Sequence, residues 1–405
     1  MPIDRREFVA VVTSLATTVA ARPSGLLATL STADDPLSVR DDFPILRNGR
    51  TFLNAAYITP SPRSVVAAGH AFLQAKAERP LSVGELLGKA NDVRAQFARL
   101  VNATPDEIGF VFATTEGENI VANNVAMTPG DNVVVDDLHY EGALVVHREF
   151  EKRRGTELRI VRHRDGVVTP DDIARHVDNR TRLISVSLVS STNGFRHDIR
   201  ALADLAHGHG ALLHVDAIQA LGLFPVDVRA TDVDFMCSGT YKGLLAGFGG
   251  APFYIKQSLL ERVAPDRFGV FQVVSQTPDL HFTLRNTARR HDYATLPFAE
   301  IHQLGAGLSY LERVGVTRIE AHTLGLTRRL KEGLVRQGYK LFTPMENRSP
   351  VTAFHYARPM AEVRAALEAA KIDLTVRDGH VRVSVALFNN AEDVDRLLTV
   401  TKRLS

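Results

Sequence analysis

The feature that most limits how this chain can fold is an alternation that begins near Asp41. Short apolar, β-branched runs ("IGFVFA", "DNVVVDD", "LRIVRH", "RLISVSLV", "ALLHVDA") are separated by stretches with helical periodicity such as "DDIARHV" and "DIRALADLAHGHG". Strands joined through helices imply a mainly parallel sheet, because a parallel pair requires a crossover between its strands. After about Ala299 the pattern changes to long amphipathic helices ("EIHQLGAGLSYLERVG", "RIEAHTLGLTRRLKEGLVRQG") with short strands ("VTAFHYA", "HVRVSVAL"). The expectation is an α/β large domain over 41–298 and a smaller α+β domain over 299–405, with no repeat and no low-complexity linker.

With 405 residues and 45% hydrophobic content, the chain can fill two cores. Lys and Arg (48) nearly balance Asp and Glu (46), and no basic run is interleaved with aromatics, so nucleic acid is excluded as an expected partner. The one cysteine, Cys237, leaves no internal disulfide and no thiolate metal site; within its apolar run it reads as a small buried residue. No metal is expected. Residues 1–21 pair Arg5 and Arg6 with a short apolar stretch that ends in small residues, the layout of a twin-arginine export signal, with a cytoplasmic amphipathic helix as the alternative. That stretch is too short and too rich in Thr to span a bilayer, and no other segment is long and apolar enough.

In such a sheet, ligands bind at the carboxyl ends of the strands. "GFVFATTEGENIVANNV" ends a strand at Ala113 and opens a helix with Thr114, Thr115 and Glu118. Thr115 and Glu118 have capping-box spacing, and hydroxyls beside free amides suit a phosphate; a plain capped helix is the other reading. After the next strand, "DDLHYEG" sets His139 and Tyr140 where an aromatic could cover a flat ring or pack on a helix. "HVDAIQALG" places Asp216 at the end of a buried strand, where a carboxylate needs a cationic partner. "SGTYKGLLAGFGG" places Lys242 after another strand. A partly buried lysine can act as a free amine toward an aldehyde, and a carboxylate can face a protonated pyridine nitrogen, the two groups pyridoxal phosphate needs. Spacing alone leaves a structural Asp and an exposed Lys equally open.

The order of these motifs resembles the class V aminotransferase family of fold-type I pyridoxal-phosphate enzymes, which includes cysteine desulfurases, selenocysteine lyases and isopenicillin-N-epimerase-like proteins. The likeness runs from "FPILRNGRTFLNAAYITPSP" to "VRVSVALFNNAEDVDRLL". It implies a large domain with a seven-stranded sheet and a smaller C-terminal domain. It also implies pyridoxal 5'-phosphate linked to Lys242, Asp216 at the pyridine nitrogen, and Gln219 at the phenolic oxygen. Thr114 and Thr115 match the family's phosphate cup. Thr295 in "RHDYATLP" matches a threonine that reaches the phosphate from a second subunit, which implies a homodimer with shared sites. Tyr140 takes the stacking position when the count runs from Asp137; a shift of one residue selects His139. Arg382 matches the arginine that grips the substrate carboxylate. Tyr241 stands where desulfurases have histidine, in a segment one residue longer than theirs, which favours the epimerase-like branch. Desulfurases also carry a mobile cysteine just before that arginine, whereas "IDLTVRDGHVRVS" has none. The expected reaction is therefore aminotransferase-like, at the α-carbon of an amino acid or amine. A lyase or epimerase is the second expectation, a catalytically silent binding protein of the same fold the third, and desulfuration is expected to be absent.

Overall fold

In a computed structural model, residues 35–404 are described; the expected export signal at 1–21 lies outside them. The main sheet has seven strands: β1 (Ile108–Val111), β2 (Asn132–Asp136), β3 (Glu157–Val161), β4 (Thr181–Ser187), β5 (Leu212–Asp216), β6 (Phe235–Cys237) and β7 (Ala251–Ile255). Their order across the sheet is β1-β7-β6-β5-β4-β2-β3. Neighbours from β6 to β3 run parallel, while β7 is antiparallel to both β1 and β6. This is the mainly parallel α/β fold that the alternation predicts, with the seven strands that the family likeness implies.

Burial on both faces explains why the strands read as unbroken apolar runs. Side chains alternate along a strand, so successive residues enter different cores. Val133 and Val135 join one cluster and Val134 the other; Phe235 and Cys237 join one and Met236 the other.

The longer helices are α1 (Arg63–Glu78), α2 (Val83–Leu100), α3 (Thr114–Asn124), α4 (Glu141–Arg154), α5 (Ile199–Gly208), α6 (Phe298–Val314), α7 (Val316–Arg336), α8 (Met360–Ala369) and α9 (Ala391–Thr401). Ile301, Leu304, Leu308 and Leu311 of α6 belong to the same apolar cluster as Val93 and Phe97 of α2. A separate cluster forms where α7, α8 and α9 cover a small antiparallel sheet of order β8-β10-β9, made of β8 (Val351–His355), β9 (Thr375–Arg377) and β10 (His380–Ser384). The segment Thr51–Phe52 pairs with Ile372–Asp373, and Leu53 enters this third cluster, so a segment near the start of the described chain is built into its C-terminal part. Among the described residues, no helix is long and apolar enough to cross a membrane.

Candidate active site

Five strand ends meet in one cavity. Ala113, Thr114 and Thr115 follow β1, Tyr140 follows β2, Ser187 ends β4, Asp216 ends β5, and Tyr241 and Lys242 follow β6; all of them, with Ile218 and Gln219, line it. The loop from Ser238 is held by Thr240, whose hydroxyl bonds the Gly247 carbonyl (2.8 Å) and Glu300 Oε1 (2.7 Å). Gly222, with φ of +81°, lets the turn after Asp216 pass under this loop, since a Cβ there would lie 2.1 Å from the Gly243 carbonyl oxygen. The aspartate turn and the lysine loop are thereby packed together.

Lys242 is 9% exposed. Burial lowers its ammonium to about 8, against the opposing pull of Asp216. It also lines a second, wider cavity of about 740 Å3, together with Arg382 of β10. The two cavities share Tyr140, Ser191, Tyr241 and Lys242, so the amine stands on the wall between them. Asp216 is buried and its Oδ1 accepts from the Ile218 amide at 2.9 Å. Burial raises its carboxyl, with the charges of His139 and Lys242 opposing. Gln219 donates to the Ala56 carbonyl (2.8 Å), while its Oε1 is buried without a partner among the described residues. Arg382 donates to the Ser191 carbonyl (2.6 Å) and the Thr375 hydroxyl (3.0 Å), and its Nε is likewise unpaired. Burial, then the charge of Arg377, lowers it to about 10. Each cavity thus ends in an orphaned buried polar atom, which a polar ligand would satisfy.

The expected capping box between Thr115 and Glu118 does not form. Helix α3 starts at Thr114 with Ala113 as its N-cap and no side-chain cap. Glu118 is instead buried beneath the sheet, bonded to His147 Nε2 (2.6 Å) and the Ser185 hydroxyl (2.6 Å), with His214 Nδ1 at 3.0 Å. Thr114 Oγ1 accepts from the Gly239 amide (2.8 Å), tying the helix start to the lysine loop. An uncapped helix start keeps its first amides for an anion.

Tyr140 and His139, the two candidates for the stacking position, lie differently. Tyr140 lines both cavities. His139 is buried below, its Nδ1 accepting from the Tyr140 amide (2.8 Å) and lying 2.9 Å from Ser187 Oγ. Tyr241 stacks on Phe248 with centroids 4.4 Å apart. Thr295 is exposed and lines neither cavity of its own chain. Ser187, Ser191 and Thr375 escaped the sequence reading; only Ser187, at a strand end, carried a signal that would have found it.

The family model described as Aminotransferase class-V matches residues 51–397. The chain belongs to the class V aminotransferase family. Its cofactor is pyridoxal phosphate, and the donor set fits that group: a buried amine of lowered proton affinity, a buried carboxylate, an unpaired amide oxygen and an uncapped helix start on one cavity. A cysteine desulfurase of Klebsiella pneumoniae is 30% identical over 397 residues, covering 90% of this chain and 97% of the relative. The apo structure of a cysteine desulfurase from Thermococcus onnurineus has a TM-score of 0.84 at 25% identity, covering 91% of this chain and 98% of that one. A C-DES variant with glycine covalently linked to its pyridoxal-phosphate cofactor shares the fold, with a TM-score of 0.84 at 19% identity over 90% of this chain and 99% of that one.

These relatives overturn the expected reaction. Cysteine desulfurases related over nine-tenths of this class V chain point to desulfuration, not to aminotransferase-like, epimerase or silent-binding roles. The expectation gave too much weight to Tyr241 and to the missing cysteine. Desulfuration needs a thiol to take the sulfur as the carbon–sulfur bond breaks, but that thiol need not belong to the chain.

Proposed function

We propose that the chain is a pyridoxal-phosphate enzyme of the cysteine desulfurase type, converting L-cysteine to L-alanine and passing the sulfur to a thiol. The observation that carries this reading is Lys242, a buried amine lowered to about 8, between the small cavity lined by Asp216 and Gln219 and the wider one lined by Arg382. Pyridoxal phosphate supplies, when bound, an aldehyde for an amine and a ring that accepts electrons from bonds broken at the α-carbon. Thr114, Thr115 and the first amides of α3 would hold its phosphate, Asp216 its pyridine nitrogen, Gln219 its phenolic oxygen, and Tyr140 and Tyr241 would bound its faces. Arg382 orients the amino acid by its carboxylate, with Ser191 and Thr375 fixing the guanidinium. Lys242, once free, is the base in reach of the α-proton, because its lowered proton affinity leaves part of it unprotonated near neutral pH.

A homodimer belongs to the same proposal. Phe268, Val270, Val274, Leu280 and Phe282 are each more than half exposed, in the segment that leads to exposed Thr295. Such an apolar surface favours a second copy, which would carry its Thr295 to the phosphate.

The test is sulfur release from L-cysteine by cofactor-loaded protein in the presence of a thiol. Arg382→Ala should lower kcat/KM about 100-fold, the effect of losing a partly buried bidentate clamp. No sulfur release by the wild type sinks the proposal.

A further inference from the structure

The chain itself offers the sulfur no carrier. Cys237 is its one cysteine, 1% exposed, and a Cβ on Gly117 would lie 2.6 Å from its sulfur. Burial raises its thiol well above the ordinary range. The acceptor in the proposed reaction must therefore come from outside and enter the cavity that holds the amino acid.

That cavity, of about 740 Å3, has far more room than a three-carbon amino acid needs. Its lining is strongly cationic. Arg377 stands two residues beyond Thr375 on β9, hence on the same strand face, and Arg364 reaches over from α8 to the Val376 carbonyl (3.4 Å). Both line the cavity together with Arg382, against a single lining carboxylate, Glu141. Among the described residues, neither Arg364 nor Arg377 is in an ion pair. Arg382 is already occupied by Ser191, Thr375 and, in the proposed reaction, the amino-acid carboxylate. Two cations therefore remain for a second anion.

We infer that the sulfur acceptor is a small thiol bearing a carboxylate or similar anionic group, seated at Arg364 and Arg377 beside the amino acid. This rests on the desulfurase-type reading. In the step, the β-carbon–sulfur bond of cysteine breaks and a sulfur–sulfur bond to the acceptor forms. The sulfur is oxidised to the persulfide level, the β-carbon is reduced to the methyl of alanine, and that methyl takes up the acceptor's thiol proton. Cysteine and thiol thus give alanine and persulfide with no further reactant.

Alanine formation by the cofactor-loaded protein from L-cysteine should be compared with mercaptosuccinate, 2-mercaptoethanol and cysteamine as acceptors. Mercaptosuccinate should half-saturate at a concentration about tenfold below that of 2-mercaptoethanol, an advantage reduced by salt. The double variant Arg364→Ala, Arg377→Ala should erase the difference. Equal dependence on the three thiols, or a preference that survives in the double variant, overturns the inference. Calorimetric titration with succinate, which has no thiol, reads the seat without turnover: wild type should bind it more tightly than the double variant, and equal binding overturns the seat. Succinate discrimination without alanine from any thiol would locate the failure in the desulfurase reading instead.

Discussion

Lys242 owes its chemistry to its surroundings. A lysine in water is almost wholly protonated at neutral pH; burial at the junction of two cavities lowers this one to about 8. Only the unprotonated amine attacks an aldehyde. The rate at which cofactor-free protein takes up pyridoxal phosphate, followed by its visible absorption, should therefore rise with pH through about 8 and level off above; a profile flat between about pH 7 and pH 9 would contradict the shift. Lys242 and Asp216 were visible in the sequence because a charge at the end of an apolar run is costly unless it has a purpose. Ser191 was not, since it acts through a backbone carbonyl that any residue would supply. That Tyr140 lines both cavities while His139 is buried against Ser187 also needed the fold.

Helix α3 shows how elements compete for a side chain. In the sequence, Glu118 has the spacing to cap Thr115; in the fold it faces His147 of α4, Ser185 of β4 and His214 of β5, which bind it better. Burial alone would raise its carboxyl, but the charge of His214 and the hydrogen bond from His147 hold it well below the ordinary range. Glu118 thus pins two helices to the sheet beneath the cofactor cavity. Glu118→Ala, which leaves His147 and His214 without their anion, should cost about 3 kcal/mol in urea unfolding; a loss under about 1 kcal/mol would show that the network contributes little. Because the folded carboxyl is depressed, its contribution is present at neutral pH and is lost as pH falls below the ordinary carboxylate range toward the folded value. The strands were legible element by element, since burial on both faces makes each a continuous apolar run. The reversal of β7 was not, because an antiparallel neighbour buried on both faces has the same composition as a parallel one.

At the scale of the whole molecule, the order of strand ends made the family legible, while the reaction was not. Transamination, elimination and desulfuration use the same lysine, aspartate and arginine; they differ in whether the β-carbon–sulfur bond breaks and in which of its two atoms keeps the electron pair. The exposed apolar segment Phe268 to Phe282 predicts that sedimentation will give about twice the 44.5 kDa chain mass. Phe268→Asp with Phe282→Asp should shift the protein toward monomer, and a wild type that sediments as a monomer would remove the shared-site proposal. The central claim is tested most directly by the fate of the carbon skeleton. With [3-13C]-L-cysteine and mercaptosuccinate, carbon NMR of the cofactor-loaded protein should show the methyl of alanine growing in step with persulfide. A skeleton that leaves as pyruvate with ammonia, or cysteine that remains unconsumed, would contradict desulfuration as this protein's reaction.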